Sequence, residues 1–204
     1  MAGRWMAAKW EKSLKGVPGW LTIEEARLLH HLAARQHPAG VCVEVGAYQG
    51  RAAIAMASAL PEGHRLLSVD TFAGSPEHQP GESHFDPATL DIAGSVDTLA
   101  AFLHNTGRAG LSTRVEPWRM TSTEAAGRVA GKVALLFLDA DHSYAAVSAD
   151  IAAWRRHLHP GAIVVLHDVG DWEGPTRCAA DLLAQGFTRV DQAGSALALR
   201  LTPA

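Results

Sequence analysis

The chain has 204 residues, 48% of them hydrophobic and 19% charged, with a formal net charge of -3. That is ordinary globular composition, long enough for a full core, with no excess of positive charge to recruit nucleic acid. The two cysteines, Cys42 and Cys178, are too few for a disulfide framework and predict a reduced, cytoplasmic protein. No window approaches the roughly 20 apolar residues of a membrane span, and residues 1–21 lack the unbroken apolar stretch of a signal peptide.

Residues 1–20 read as an extension ahead of a single domain over 21–204. They scatter Trp5, Trp10 and Trp20 among Arg4, Lys9, Lys12 and Lys15. This is either an amphipathic helix closing over a site or a partner, or a surface extension that packs its tryptophans on the domain, and the second is favoured. Thr22 with Glu25 three residues on is a capping-box pattern, opening a helix to about Gln36 before Pro38 and Gly40. Strands are then expected near 41–45, 66–70, 112–116, 133–139, 162–167, 186–191 and 196–201. Helical patterns fall at 50–60, 95–106, 122–130, 144–158 and 174–185.

Apolar runs such as VALLFLD and AIVVLHD, without polar alternation, suit parallel strands covered on both faces, so the fold class is α/β. The short gap between the last two strands predicts an antiparallel hairpin at a sheet edge. Residues 74–90 have turn formers, two histidines and no periodicity, and their place after the second strand puts this loop at the ligand end of the sheet. His157 and His159, before Pro160 and Gly161, read as helix C-terminal residues, and His30, His31 and His37 as surface residues.

The stretch VCVEVGAYQG, residues 41–50, carries the first functional signal. A buried strand, a glycine turn and a helix N-terminus form the place where α/β sheets bind nucleotide-like ligands. Gly46 and Gly50 allow close backbone approach, while Glu44 offers a carboxylate, which suits a ligand with a cationic amino group and no phosphate. Asp70, ending the second strand, is placed to accept the hydroxyls of a ribose. Together they describe an adenosine attached to an amino acid. A nicotinamide cofactor would call for G-x-G-x-x-G, and Tyr48 stands at the second glycine.

The second signal lies at the ends of the fourth and fifth strands. L-D-A-D-H-S-Y places Asp139, Asp141, His142 and Tyr144 at one, and V-V-L-H-D places His167 and Asp168 at the other. Two facing carboxylates repel unless a cation or a proton lies between Asp139 and Asp168. A hard divalent ion such as magnesium would satisfy them, and coordination by His167 or His142 would shift the preference to a transition metal. The competing and preferred role for His142 is general base.

These blocks resemble class I S-adenosylmethionine-dependent methyltransferases, a Rossmann-like fold with a seven-stranded, mostly parallel sheet. More narrowly, they resemble the small bacterial branch related to macrocin-type sugar O-methyltransferases and cephalosporin-hydroxylase-like proteins. VEVGAYQG is similar to the family's first cofactor motif, LLSVDTFAG to its second, and FLDADHSY with LHPGAIVVLHD to the block ending its fourth and fifth strands. The resemblance implies that Glu44, Gly46, Ala47 and Gly50 line the methionine side of the cofactor. Asp70 would bind the ribose with Thr71 and Phe72 adjoining, and Met120, Thr121 and Ser122 would lie by the adenine, with Asp139 also near the cofactor. Asp139 falls on the first metal ligand of metal-dependent relatives and Asp168 on the second. Those relatives often continue with Asn or Asp as third ligand, whereas this chain has Val169; some branches instead pair Glu-Asp at this point, which would make His167 the substitute.

The expected activity is methyl transfer to a hydroxyl of a small molecule, whether sugar, phenol or natural product, with Asp139 and His142 catalytic. Partners are the small-molecule acceptor, neither nucleic acid nor membrane, and a homodimer is allowed. The rival readings are a nicotinamide-dependent oxidoreductase or hydroxylase-like enzyme on the same fold, and a non-catalytic binding module.

Overall fold

A computed structural model describes residues 9–36 and 40–202. The expectations for Arg4, Trp5, His37 and Pro38 lie outside these residues. The helices are α1 (Lys9–Ser13), α2 (Ile23–Ala34), α3 (Arg51–Ala59), α4 (Leu99–Arg108), α5 (Ser122–Arg128), α6 (Tyr144–Arg155) and α7 (Glu173–Ala184). The strands are β1 (Val41–Val45), β2 (Leu66–Asp70), β3 (Val115–Arg119), β4 (Val133–Leu138), β5 (Leu158–Leu166), β6 (Thr188–Ala193) and β7 (Ala196–Arg200).

The strands form one seven-stranded sheet in the order β3-β2-β1-β4-β5-β7-β6. β1 to β5 pair in parallel, and β7 runs antiparallel between β5 and β6. This is the Rossmann-like arrangement with a C-terminal antiparallel hairpin, and it explains the continuous apolar runs. β4 is buried at every position, with Leu135 and Phe137 facing α2 and α3, and Leu136 and Leu138 facing α5 to α7. The order reverses beside β1, so the carboxyl ends of β1, β2, β4 and β5 surround one crevice.

Residues 14–21 are not merely laid on the surface, because Leu14, Val17 and Leu21 are buried in the same core as α2 and α3. Trp10 stacks on His30 at 4.4 Å, which half-buries a histidine expected at the surface. β3, β5 and β6 depart from their expected bounds, β6 by a two-residue shift to Thr188–Ala193. β3 begins at Val115 and includes Pro117, a residue that argues against a strand unless the strand is at an edge, as this one is. β5 begins at Leu158, so His159 lies in the strand rather than at a helix end. A register shift between Val133 and Leu135 on the partner strand accommodates Pro160 and Gly161.

Candidate active site

The turn after β1 is held by a carboxylate. Asp70 Oδ2 accepts the amides of Ala47 at 2.7 Å and Tyr48 at 2.9 Å, and Oδ1 accepts that of Phe72 at 2.7 Å. A carboxylate has about four acceptor sites, so little more than one remains for a ligand. Gly46 has φ +89°, and a Cβ there would stand 2.0 Å from the Asp139 carbonyl oxygen. Only glycine lets the end of β1 pack this closely on the end of β4.

Two compartments meet at this point. The first is a cleft of about 430 Å³, within the ordinary range for small-molecule sites, lined by Gly46, Asp70, Thr71, Met120, Thr121 and Ser122. Its far wall includes Asp150, whose burial raises its carboxyl above the usual range against a hydrogen bond with Ser122. The Trp154 indole donates to Ser122 Oγ at 2.9 Å and fixes that wall. The second compartment, of about 130 Å³, is lined by rings and ionisable groups. Gly46, Tyr48, His78, Asp139, Ala140 belong to both.

The rings of the second compartment come from five segments: the stretch before α2, the turn after β1, the loop after β2, the end of β4 and the segment before α7. Trp20, 54% exposed, lies 5.3 Å from Tyr48 and 5.1 Å from His78; His84 lies 5.7 Å from both Trp20 and Trp172; and Trp172 stacks on His142 at 4.7 Å. Arg51, the first residue of α3, ties the N-terminal segment of this wall in place. Its guanidinium donates to the carbonyls of Leu14, Val17 and Leu21 at 3.3, 3.1 and 2.7 Å.

At the floor of the second compartment, Asp139, His142 and Asp168 each bring a ligating atom to within 4.8 Å of the others. His142 Nδ1 lies 2.7 Å from Glu77 Oε1, and its Nε2 lies 2.9 Å from Asp168 Oδ2. His167 Nδ1 stands 3.0 Å from Asp139 Oδ1 and 3.1 Å from Asp168 Oδ2, with Nε2 3.3 Å from Glu25 Oε2. Burial opposes the imidazolium of His142, but Asp139, Asp168 and Glu77 outweigh it and raise the ring to about 10. Burial likewise opposes that of His167, yet Asp139, Asp168 and Glu25 push it up to about 12. Asp168, despite burial, is held well below the usual carboxylate range by the two imidazoles.

Those close approaches are not all hydrogen bonds. His142 Nε2 and both ring nitrogens of His167 are buried and out of line with any acceptor. Nitrogen atoms gathered with carboxylates at such distances, yet not aligned with them, suit a shared cation. Asp168 also has φ +58°, and Tyr48 and Phe72 have φ +44° and +56°. Left-handed backbone at non-glycine residues is strained, and here it surrounds the crevice.

Several expected residues sit elsewhere. Glu44 is wholly buried and lines neither compartment, because strand alternation places it on the Cys42 face under α3 rather than at the strand tip. There it accepts the Ser68 hydroxyl at 2.6 Å, and burial pushes it up to about 8, so it offers no anionic contact for an amino group. Gly50 backs onto Phe102 and Thr106, and Phe72 is buried edge-on against Phe102, so both support the turn from behind. Ala47 lines the ring-walled compartment, not the cleft. Glu77, His78, His84 and Trp172 were not singled out individually. The irregular loop at 74–90 was the available signal for the first three, and for Trp172 the sequence offered none.

A methyltransferase-domain family model matches residues 43–169, which carry the turn, the loop and the ends of β4 and β5. The chain belongs to this methyltransferase family. The fold agrees with solved structures. The O-methyltransferase TomG from Streptomyces achromogenes, involved in tomaymycin synthesis and in complex with SAM, superposes with a TM-score of 0.66 at 17% identity, covering 98% of this chain and 91% of TomG. An O-methyltransferase from Bacillus cereus in complex with SAH gives 0.65 at 17% identity, with 96% and 91% covered. The O-methyltransferase NovP gives 0.68 at 15% identity, with 90% and 83% covered. This methyltransferase therefore has the class I fold expected from its motifs. Among the described residues no helix is long and apolar enough to cross a membrane.

Proposed function

We propose that this methyltransferase transfers the methyl group of S-adenosylmethionine to a hydroxyl oxygen of a small molecule. The observation that carries the reading is the junction of two compartments at Gly46 and Asp139, one a cleft at the sheet's switch point, the other ring-walled and floored by His142, His167 and carboxylates. The donor occupies the cleft, with its ribose at Asp70 and its adenine against Met120, Thr121 and Ser122. The acceptor, a sugar, a phenol or another natural-product hydroxyl, lies among the rings. TomG and NovP, both O-methyltransferases, support the choice of oxygen.

In the reaction the acceptor oxygen attacks the sulfonium methyl carbon, the carbon–sulfur bond breaks, and the hydroxyl proton leaves. Alignment of the two compartments supplies the positioning. His142 accepts the proton at Nε2, with Nδ1–H held by Glu77, the carboxylate that orients the ring. Asp139 and Asp168, with His167, fit a divalent cation by donor type and by their misaligned nitrogens. Bound there, the cation would act as a Lewis acid that lowers the hydroxyl pKa. It would also neutralise the carboxylates that otherwise keep His142 protonated. The buried, unpaired Cys42 and Cys178 support a reducing, cytoplasmic setting.

Calorimetry tests the assignment of the compartments. S-adenosylhomocysteine should bind and NAD should not. Ala149→Trp, which fills the cleft, should abolish that binding, whereas Trp172→Ala in the ring wall should leave it unchanged and raise the KM for the acceptor up to about tenfold, the scale of an aromatic contact. NAD binding without S-adenosylhomocysteine binding would overturn the proposal in favour of an oxidoreductase.

A further inference from the structure

Among the described residues are two capping boxes with the same T-x-x-E spacing, and they behave differently. Thr121 and Glu124 form theirs in the open at the start of α5. Thr22 and Glu25 form theirs at the start of α2, where Glu25 is only 3% exposed. Its Oε2 accepts the Thr22 amide at 2.7 Å and hydroxyl at 2.8 Å, and its Oε1 accepts the Ser195 amide and hydroxyl, both at 2.9 Å. A Cβ on Gly194 would come within 2.6 Å of Oε1. Capping alone does not require burying a carboxylate, and a buried charge needs partners. The remaining neighbour is His167 Nε2, at 3.3 Å. Burial opposes ionisation of Glu25, but His167 and Thr22 lower it to about 2, so it stays an anion.

We infer that Glu25 is a positioning residue that makes His167 a nitrogen ligand, and that the site at Asp139 and Asp168 therefore selects a transition-metal dication over magnesium. The inference rests on the proposal that these aspartates hold a cation. Glu25 lies outside the residues matched by the family model, so this support comes from the N-terminal part of the chain. Glu25 Oε2, 3.3 Å from Nε2 but not aligned with it in this structure, is the carboxylate that would take Nε2–H once a cation draws the ring onto Nδ1, leaving the Nδ1 lone pair facing Asp139 and Asp168. Carboxylate backing of this kind orients metal-bound imidazoles and raises their basicity. The second observation is His167 itself, 4% exposed, whose Nδ1 lies within 3.1 Å of both aspartates without an aligned hydrogen bond to either. Imidazole nitrogen favours later dications such as Co²⁺, Ni²⁺ or Zn²⁺, whereas magnesium prefers an all-oxygen shell.

The test uses tag-free, chelator-stripped full-length protein titrated with Co²⁺ alone and Mg²⁺ alone, following the visible Co²⁺ spectrum and the heat of binding. Wild type should bind Co²⁺ at least tenfold more tightly than Mg²⁺, with a spectrum that includes nitrogen ligation. Glu25→Gln should weaken Co²⁺ about 10- to 100-fold, the scale for loss of an outer-shell partner, and reduce the Co²⁺ to Mg²⁺ ratio. His167→Asn should remove the ratio altogether. S-adenosylhomocysteine affinity, unchanged in both variants, reports that they are folded. The wild-type ratio needs no variant. Equal affinity for the two cations, or Co²⁺ binding in Glu25→Gln equal to wild type, overturns the inference while leaving a cation site standing. No cation binding at all overturns both the inference and the cation role, and intact S-adenosylhomocysteine binding would then leave methyl transfer itself in place.

Discussion

The cleft and the ring-walled compartment share Gly46 and Asp139 but are built by different means. The cleft is mostly a product of backbone, from a glycine turn whose amides are gathered by Asp70, a strand end, and the capped start of α5. Its neighbour is a product of side chains delivered by residues 18–21, the loop after β2 and the segment before α7. Backbone geometry suits a ligand that is always the same. Side chains on connecting segments can be exchanged without disturbing the sheet, so they suit the partner that distinguishes one enzyme from another.

The harshest way to break this division is at the shared residue. Gly46→Ala forces a Cβ against the Asp139 carbonyl at a backbone conformation disfavoured for alanine, and should lower stability by more than about 4 kcal/mol. Denaturant unfolding measures it, and a variant as stable as wild type would refute the close packing of β1 on β4. His142→Gln acts on one side only. It should reduce kcat by about 10² to 10⁴ while S-adenosylhomocysteine affinity holds. If neither rate nor cation affinity changes, His142 is not the base.

Glu44→Gln separates framework from ligand contact. The Glu44 pKa is raised by burial to about 8, against an ordinary value of 4.5, so the folded state keeps a proton that the unfolded chain releases. Wild-type stability should therefore fall from this group as pH rises from about 4.5 to 8 and level off above it. The variant should lack that decline, gaining on wild type by roughly 3 kcal/mol between pH 5 and 8, with S-adenosylhomocysteine affinity unaltered. A large loss of affinity would return Glu44 to the ligand. Asp70→Ala should have the smallest effect of the four. It should weaken S-adenosylhomocysteine by about 1.5–3 kcal/mol through the loosened turn and the lost ribose contact. Calorimetry that finds wild-type affinity in the folded variant would remove Asp70 from the cleft's working parts.

The cleft was more legible in the sequence than its neighbour, for a physical reason. Strand, turn and helix start are contiguous in residues 41–50, and Asp70 follows at the next strand end, so local pattern and sheet topology suffice to bring them together. Even there, Glu44 was misplaced, since proximity to the turn in sequence outweighed the alternation that turns its side chain under α3. Asp139, His142, His167 and Asp168 were legible as a group because neighbouring parallel strands align their ends. What sequence did not reveal is how the connecting segments fold over them. Trp20, His84 and Trp172 meet only in three dimensions, and Glu25 reads as a helix cap until the hairpin of β6 and β7 buries it beside His167.

Arg51 gives the boundary of the chain an experimental meaning. Its guanidinium reaches carbonyls at Leu14, Val17 and Leu21, while its backbone begins the helix that follows the glycine turn. A clone started at residue 21, on the view that the preceding residues are dispensable, would remove two of those three anchors together with Trp20 and the buried Leu14 and Val17. Such a truncated product would preserve the switch-point cleft in outline and still be a poor reporter of turnover. A screen run on it would score donor analogues faithfully and overlook acceptors, so the choice of start codon decides which half of the enzymology is observed.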